Sequence, residues 1–296
     1  MKNLPAPESL LLAAERSHFR AWEIIFQIIQ DFKEYQEWSA EAGGDKKNLK
    51  DYSIFATEEI YEVYTQAAHA NELFLRGKLC EVSPYLLLVN TNNSFSRGRE
   101  VDFTGLRTVD AVDLPKIVEA TTNFSASDEF VGFFNKLRSQ RNKITHLGSA
   151  EISVEIIEIT SLLCLQYSLL WGDDLWWHRR FLHESRSRHA YLSDDWEDAE
   201  TMRVLNRLKI LKRHLSKSNF KKIFGHPKGE RAWLCDRCWS NSGISDYDDA
   251  RGYESVYIKG KKARCIICHK DFPIKKCDEC SQLTPHEDSY CIPCNY

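Results

Sequence analysis

From residue 7 to residue 39, bulky apolar side chains return every three or four positions: Leu11, Phe19, Trp22, Ile25, Phe26 and Ile29. That period predicts one long amphipathic helix, ended by the glycines of AEAGGDKKN. A second stripe, Ile60, Tyr64, Ala67, Leu75 and Leu79, predicts a helix over about 57–81. The segment that follows carries a proline and an Asn/Ser/Gly cluster and reads as a long connection. A short helix after Pro115 and a Phe-rich helix from about Ser127 come next. Residues 150–171 are apolar almost all round, which predicts a central helix. The β-branched run SVEIIEI also suits a strand, but its unbroken continuation to Trp171 favours helix. The expected fold class is therefore an all-α bundle over residues 1–172, with its core in 50–172 and the helix 7–39 as an extra opening element.

Beyond residue 172 the pattern changes. Residues 173–228 read as a charged and basic helical connector. Val204, Leu208, Leu211 and Leu215 mark one helical face, and the stretch 203–233 holds ten Lys/Arg against a single Glu. Such an imbalance suits phosphate contacts, with Arg207, Lys212, Arg213, Lys221 and Lys222 as the candidate ligands. A solvated face balancing the acidic DDWEDAE before it explains the same residues equally well. Trp176, Trp177 and Trp196 are suited either to stacking on bases or, more simply, to packing between helices.

Cysteine placement divides the chain further. Of ten cysteines, eight lie beyond residue 234 in four C-x-x-C pairs: Cys235 with Cys238, Cys265 with Cys268, Cys277 with Cys280, and Cys291 with Cys294. Two such pairs make a closed tetrahedral four-thiolate site, so two structural Zn2+ ions would use all eight thiolates. Residues 229–296 are thus expected to form a small double zinc-ribbon domain with little regular structure or short β-hairpins. Sequential pairing yields two ribbons and interleaved pairing a cross-brace; counts alone do not choose between them. Disulfides or a redox dithiol are the rival readings, disfavoured because no secretory signal is recognisable at the start of the chain and because there are four pairs rather than one. Cys80 and Cys164 sit alone in helical patterns and read as small buried hydrophobes. Closed sites of this kind are structural, so no catalytic metal is expected.

The formal net charge is −3, with 43% hydrophobic and 28% charged residues, ordinary values for a folded chain. No stretch is apolar enough to span a membrane, and a cytoplasmic setting is expected. Walker, Rossmann, H-E-x-x-H and G-x-S-x-G patterns are missing from the sequence, which argues against the commoner enzyme classes.

One residue breaks the helical pattern in the first part. Arg141 falls 11, 7 and 4 positions after Phe130, Phe134 and Leu137, which places it on their buried stripe. A buried arginine needs an acidic partner, a phosphate or a watery cleft. Asn71 and Glu72 interrupt the stripe of the second helix, so an Arg141–Glu72 ion pair that sets helix register is one explanation. The other is chemical. Asn142 and His146 are four apart on one face, and Gly148 reads as a helix stop that puts His146 in the last turn.

The stretch "RNKITH" resembles the Arg-polar-x3-His motif of HEPN-domain ribonucleases, an all-α family. "HANELFLRGKLCEVSPYLLL" is similar to the acidic, Lys-containing helix common in that family's first half. The resemblance covers roughly residues 50–172. It implies a metal-independent endoribonuclease of toxin or anti-phage defence type, acting as a homodimer on RNA, with Arg141, Asn142 and His146 catalytic and Asn71 and Glu72 supporting. An antitoxin or activating protein would be a further partner, and the zinc module would bind RNA or a partner. The competing function is a non-catalytic dimerisation or nucleic-acid-binding adaptor; a zinc-ribbon transcription accessory protein rests on the cysteines alone.

Overall fold

A computed structural model describes residues 1–41, 52, 56–89, 100–147, 155–186, 196–243, 251–287 and 290–295. Contacts divide the chain into two compact units, Met1–Ile159 and Thr160–Tyr296.

The first unit is built on two long helices, α1 (Pro7–Glu41) and α2 (Thr57–Val82). Proline at the first position of α1 surrenders only an amide that has no intrahelical partner, and Glu8 faces the positive end of the helix dipole. Phe19, Trp22, Ile25 and Phe26 of α1 and Ile60, Val63, Tyr64, Ala67 and Leu75 of α2 are all buried, as the two stripes require. A Cβ at Gly77 would come within 2.8 Å of the Leu11 side chain, so glycine permits the close approach of α1 there. Two shorter helices, α3 (Leu114–Thr121) and α4 (Asp128–Leu147), both pack against α2. The return from residue 100 is tied by Val109 N–H donating to Leu87 O (2.8 Å) and by Arg76 donating to Val109 O (3.0 Å).

Helix α5 (Ile156–Leu170) contains the boundary between the units. The sequence puts its start near residue 150; residues 148–154 lie outside the described residues. From Ile156 onward the helical alternative to a strand is the one observed. Ile159, Leu163, Cys164 and Tyr167 are buried, but Ile157 is 59% exposed, so the helix is not covered all round.

In the second unit, α6 (Trp176–Glu184) packs against α7 (Trp196–His214) and α8 (Lys217–Phe224). The single basic helix suggested by the leucine spacing is two helices. Ser216 leaves the helical region and its hydroxyl accepts from Asn219 N–H (3.2 Å), capping a new start. Gly225 closes α8 with a left-handed φ of 70°. A short helix α9 (Asp236–Ser240) precedes an antiparallel five-stranded meander: β1 (Val256–Lys259), β2 (Lys262–Cys265), β3 (Asp271–Lys276), β4 (Leu283–Glu287) and β5 (Tyr290–Cys291), in that order. A last turn of helix, α10 (Ile292–Asn295), follows. The cysteine-rich region thus carries a sheet rather than irregular loops alone.

Segments 173–228 and 229–296 share this unit. His178 Nδ1 lies 2.8 Å from Ile267 O, Lys212 pairs with Glu254 at 2.7 Å, and Tyr253 OH donates to Asn206 (3.0 Å). No helix among the described residues is long and apolar enough to cross a membrane.

Candidate functional sites: two cysteine clusters and an arginine pair

All eight paired cysteines come together in two groups of four. Cys235, Cys238, Cys265 and Cys268 form one, and Cys277, Cys280, Cys291 and Cys294 the other, with the sulfurs of each group within 4.8 Å of one another. Sequential pairing is therefore the arrangement adopted. Ligands at ~2.3 Å from a tetrahedral ion stand about 3.8 Å apart. The Sγ–Sγ distances are 3.7 Å (Cys235–Cys268), 3.8 Å (Cys238–Cys265), 3.7 Å (Cys277–Cys294) and 4.0 Å (Cys280–Cys291). A disulfide would need about 2 Å, so these pairs are spaced for a shared ion and not for a bond.

Both groups are assembled from the same two parts. One part is a β-hairpin knuckle. Cys265 N–H donates to Lys270 O and His269 N–H to Cys265 O; Cys277 N–H donates to Gln282 O and Ser281 N–H to Cys277 O. The fourth residue after the leading cysteine has positive φ in each, 60° at His269 and 57° at Ser281. Neither is glycine, so both knuckles hold an ordinary residue in the left-handed region. The other part is a C-x-x-C pair in a short helical turn, at α9 and at β5–α10. The helical pair comes first in one group and last in the other.

Burial separates them. Cys235, Cys238 and Cys265 are buried, and Cys265 Sγ is flanked by Ser255 Oγ (3.4 Å) and Ile267 N–H (3.4 Å). Cys294 of the second group is exposed, although Thr284 Oγ1 approaches Cys291 Sγ at 3.2 Å. Hydrogen bonds from neighbouring thiols, led by Cys235, hold the Cys268 thiol below the ordinary range, while the same contacts push Cys238 up. The donor chemistry and spacing fit soft, tetrahedral metal binding. Cys80 and Cys164 are buried and belong to neither group, and burial pushes the Cys80 thiol up to about 11.

In the first unit, Phe130, Phe134 and Leu137 are buried along α4, and Arg141 stands where that stripe ends. Its Nη2 donates to Glu72 Oε1 of α2 at 2.7 Å. The pair is neither dry nor free: the side chains are 31% and 19% exposed. Among the described residues the Nε atoms of Arg138 and Arg141 and Oε1 of Gln140 are buried without a hydrogen-bond partner. Asn142, the next residue of α4, is half-buried, and Asn71 is buried next to Glu72 in the sequence of α2. His146 lies in the last turn of α4, as the Gly148 stop implies, but its side chain lies outside the described residues, as does Gly148.

The basic candidates separate into two kinds. Arg207 is buried and donates to Glu184 Oε1 (2.5 Å), and Lys212 is held by Glu254. Both cations are spent inside the fold, which removes them from a surface that nucleic acid could reach. Arg213 and Lys221 are exposed and Lys222 is half-buried. Trp176 and Trp177 are fully buried and pack edge to face at 4.6 Å, so they are core residues and not stacking platforms. The Trp196 side chain lies outside the described residues.

The pattern of stripes did not reveal a second arginine site. Arg180, wholly buried on α6, donates to Glu184, which also accepts from Arg207 and from Arg203 (3.1 Å); Glu200 lies 3.6 Å from Arg203. Burial opposes ionisation of Glu184, but Arg180 and Arg207 hold its carboxyl down at about 2. The only signal in the sequence was the i,i+4 spacing of Arg180 and Glu184.

Compared with family models, with curated proteins and with solved structures, the chain gives no match.

Proposed function

We propose that this protein is a zinc-bound, metal-independent endoribonuclease whose chemistry resides at the end of α4. The observation that carries this reading is the Arg141–Glu72 pair: one Nη is anchored while the side chain stays partly open. An arginine oriented from behind by a carboxylate is suited to grip a phosphodiester with its remaining donors. Asn142 would orient the phosphate. His146 would take the proton of the ribose 2′-hydroxyl or give one to the leaving 5′-oxygen. The 2′-oxygen attacks phosphorus, the 5′-oxygen leaves with a proton, and a cyclic phosphate end remains. Arg141 stabilises the charge that builds on the phosphoryl oxygens. The resemblance of RNKITH to the HEPN motif supports the same assignment.

His146→Ala and Arg141→Ala are expected to lower RNA cleavage by at least ~10²-fold, the usual scale for a lost acid–base or charge-stabilising group. Cleavage should persist in a brief EDTA assay and stop at a 2′-deoxy position. Full activity of His146→Ala, or a need for magnesium, would overturn the assignment.

The second reading, a non-catalytic adaptor, is favoured by the same ion pair, because Arg141 already has a partner. It prevails if wild type binds RNA without cutting it and Arg141→Ala merely loosens the helices.

The two cysteine groups are proposed to hold one Zn2+ each, in a structural role. Elemental analysis should give two zinc per chain, with Cys235→Ser and Cys291→Ser each removing one. Loss of both from either variant would mean that the two groups fold as a single site.

A further inference from the structure

Lys221 and Lys222 make no ion pair among the described residues, unlike Arg207 and Lys212 in the same basic stretch. They border a cavity of about 430 Å3 between the end of α5 and one face of α8. Ser218, Lys221, Lys222 and Gly225 fall at positions i, i+3, i+4 and i+7, so a single helical face presents them. The opposite wall is the turn at Gly172, Asp173 and Asp174. Its carboxylates are already engaged. Asp173 accepts from Leu175 N–H (3.1 Å) and Arg179 (2.7 Å) as well as Tyr167 OH, and Asp174 accepts from Lys259.

Asp174 also borders a second, narrower pocket, lined by His226, Lys259, Arg264 and His269. The two hollows share Asp174 in their walls. Gly225 lets the end of α8 pack closely on the Asp174 turn: a Cβ there would stand 2.9 Å from Asp174 Cβ, and its φ of 70° is one that glycine adopts without strain. Lys221 and Lys222 thus stand on one wall of the larger hollow, while Lys259 and Arg264 line the smaller one together with Leu175, Phe224 and Ile266.

We infer that the larger hollow is a path for the sugar-phosphate backbone of single-stranded RNA, with Lys221 and Lys222 as its principal phosphate contacts. Charge decides the occupant. Lys259 and Arg264 are partly neutralised by Asp174 and Asp271, whereas Lys221 and Lys222 of α8 make no ion pair among the described residues. Among the described residues no exposed Phe, Tyr or Trp lines either hollow, so the larger one would track backbone rather than read bases. The choice of RNA deepens the ribonuclease reading and rests on it.

The test is equilibrium binding of full-length, zinc-loaded protein to a labelled single-stranded RNA whose riboses are 2′-O-methylated, over a range of salt. Each phosphate contact to a single strand contributes about 0.7 to the slope of log K against log salt. The double variant Lys221→Gln/Lys222→Gln should lower affinity at least tenfold and reduce the slope by about 1.4. Lys33→Gln, an exposed lysine of α1, should change neither. Affinity and slope unchanged in the double variant overturn the path, even if wild type cuts unmodified RNA. If wild type binds the methylated strand through these lysines but leaves unmodified RNA uncut, the path stands and the nuclease reading fails. Binding to anionic phosphatidylglycerol vesicles in place of RNA also overturns it. Circular dichroism of the double variant must match wild type; if it does not, Lys221→Gln alone, at an exposed position, serves as the deciding variant.

Discussion

Arg141 and Arg180 are both inward-facing arginines on α-helices, and they have opposite surroundings. Arg141 pairs with a single carboxylate on another helix and keeps about a third of its side chain in solvent. Arg180 is wholly buried and shares Glu184 with Arg203 and Arg207. The difference lies in what could be done with each. A guanidinium surrounded by carboxylate and other guanidinia, with no solvent access, can only hold structure together. One that is anchored by a single bond at a partly open edge retains donors that a substrate could use. Burial of an arginine is thus a poor guide to function until its access is known.

The contrast is sharpest in what Glu184 must do. It is the common acceptor for three guanidinia, so Glu184→Ala leaves buried cations without their counter-charge. A loss of ~3–5 kcal/mol is expected, the usual result of stripping one partner from a buried pair. Near-ultraviolet circular dichroism of the buried Trp176 and Trp177 during denaturant titration would report it. A loss below ~1 kcal/mol would place the network on a par with a surface pair.

Acid should act through the same residue. The folded pKa of Glu184 lies below its unfolded value, so its contribution to stability is complete above the ordinary glutamate range, near ~4.3. It is lost as pH falls from there through about 2. The tryptophan signal should weaken across that window. Arg207→Met removes one cation, brings the Glu184 pKa back up and should make the acid dependence shallower. An unchanged acid profile in that variant would mean that other carboxylates dominate.

The smallest structural effect is expected at the more open pair. Glu72→Gln should cost no more than ~1 kcal/mol, as for partly exposed ion pairs. Under the ribonuclease reading it should nevertheless depress RNA cleavage, because Arg141 loses its anchor. A variant as active as wild type would leave Glu72 without a positioning role. A large loss of stability would make this pair resemble the buried one and favour the adaptor.

How far the sequence was readable follows from the range of each signal. The stripes on α1, α2 and α4 are local, and their apolar residues are buried except Leu11, which is half-buried. The turn chemistry was weaker: one serine at position 216 split the basic helix that leucine spacing joined. The leading basic candidates fared unevenly, since Arg207 and Lys212 face carboxylates brought by α6 and by the loop before β1. Nothing at positions 207 or 212 distinguishes them from Lys221 or Lys222; only their neighbours do.

The cysteines illustrate both halves. Four C-x-x-C pairs declared tetrahedral sites by chemistry alone, because a thiolate pair at that spacing chelates from one turn of backbone. Which pairs joined was left open, since chelation needs two pairs and any two would satisfy it. The meander decided that, by carrying the second and third pairs on successive hairpin knuckles and bringing a helical turn to each. The same holds for Arg141. Its place on a buried stripe is a matter of helical period and was determined by the sequence. That its partner is Glu72, at 2.7 Å and at an edge still open to water, is a property of how α2 and α4 pack, because an ion pair across 69 residues depends on a distance that no local pattern encodes.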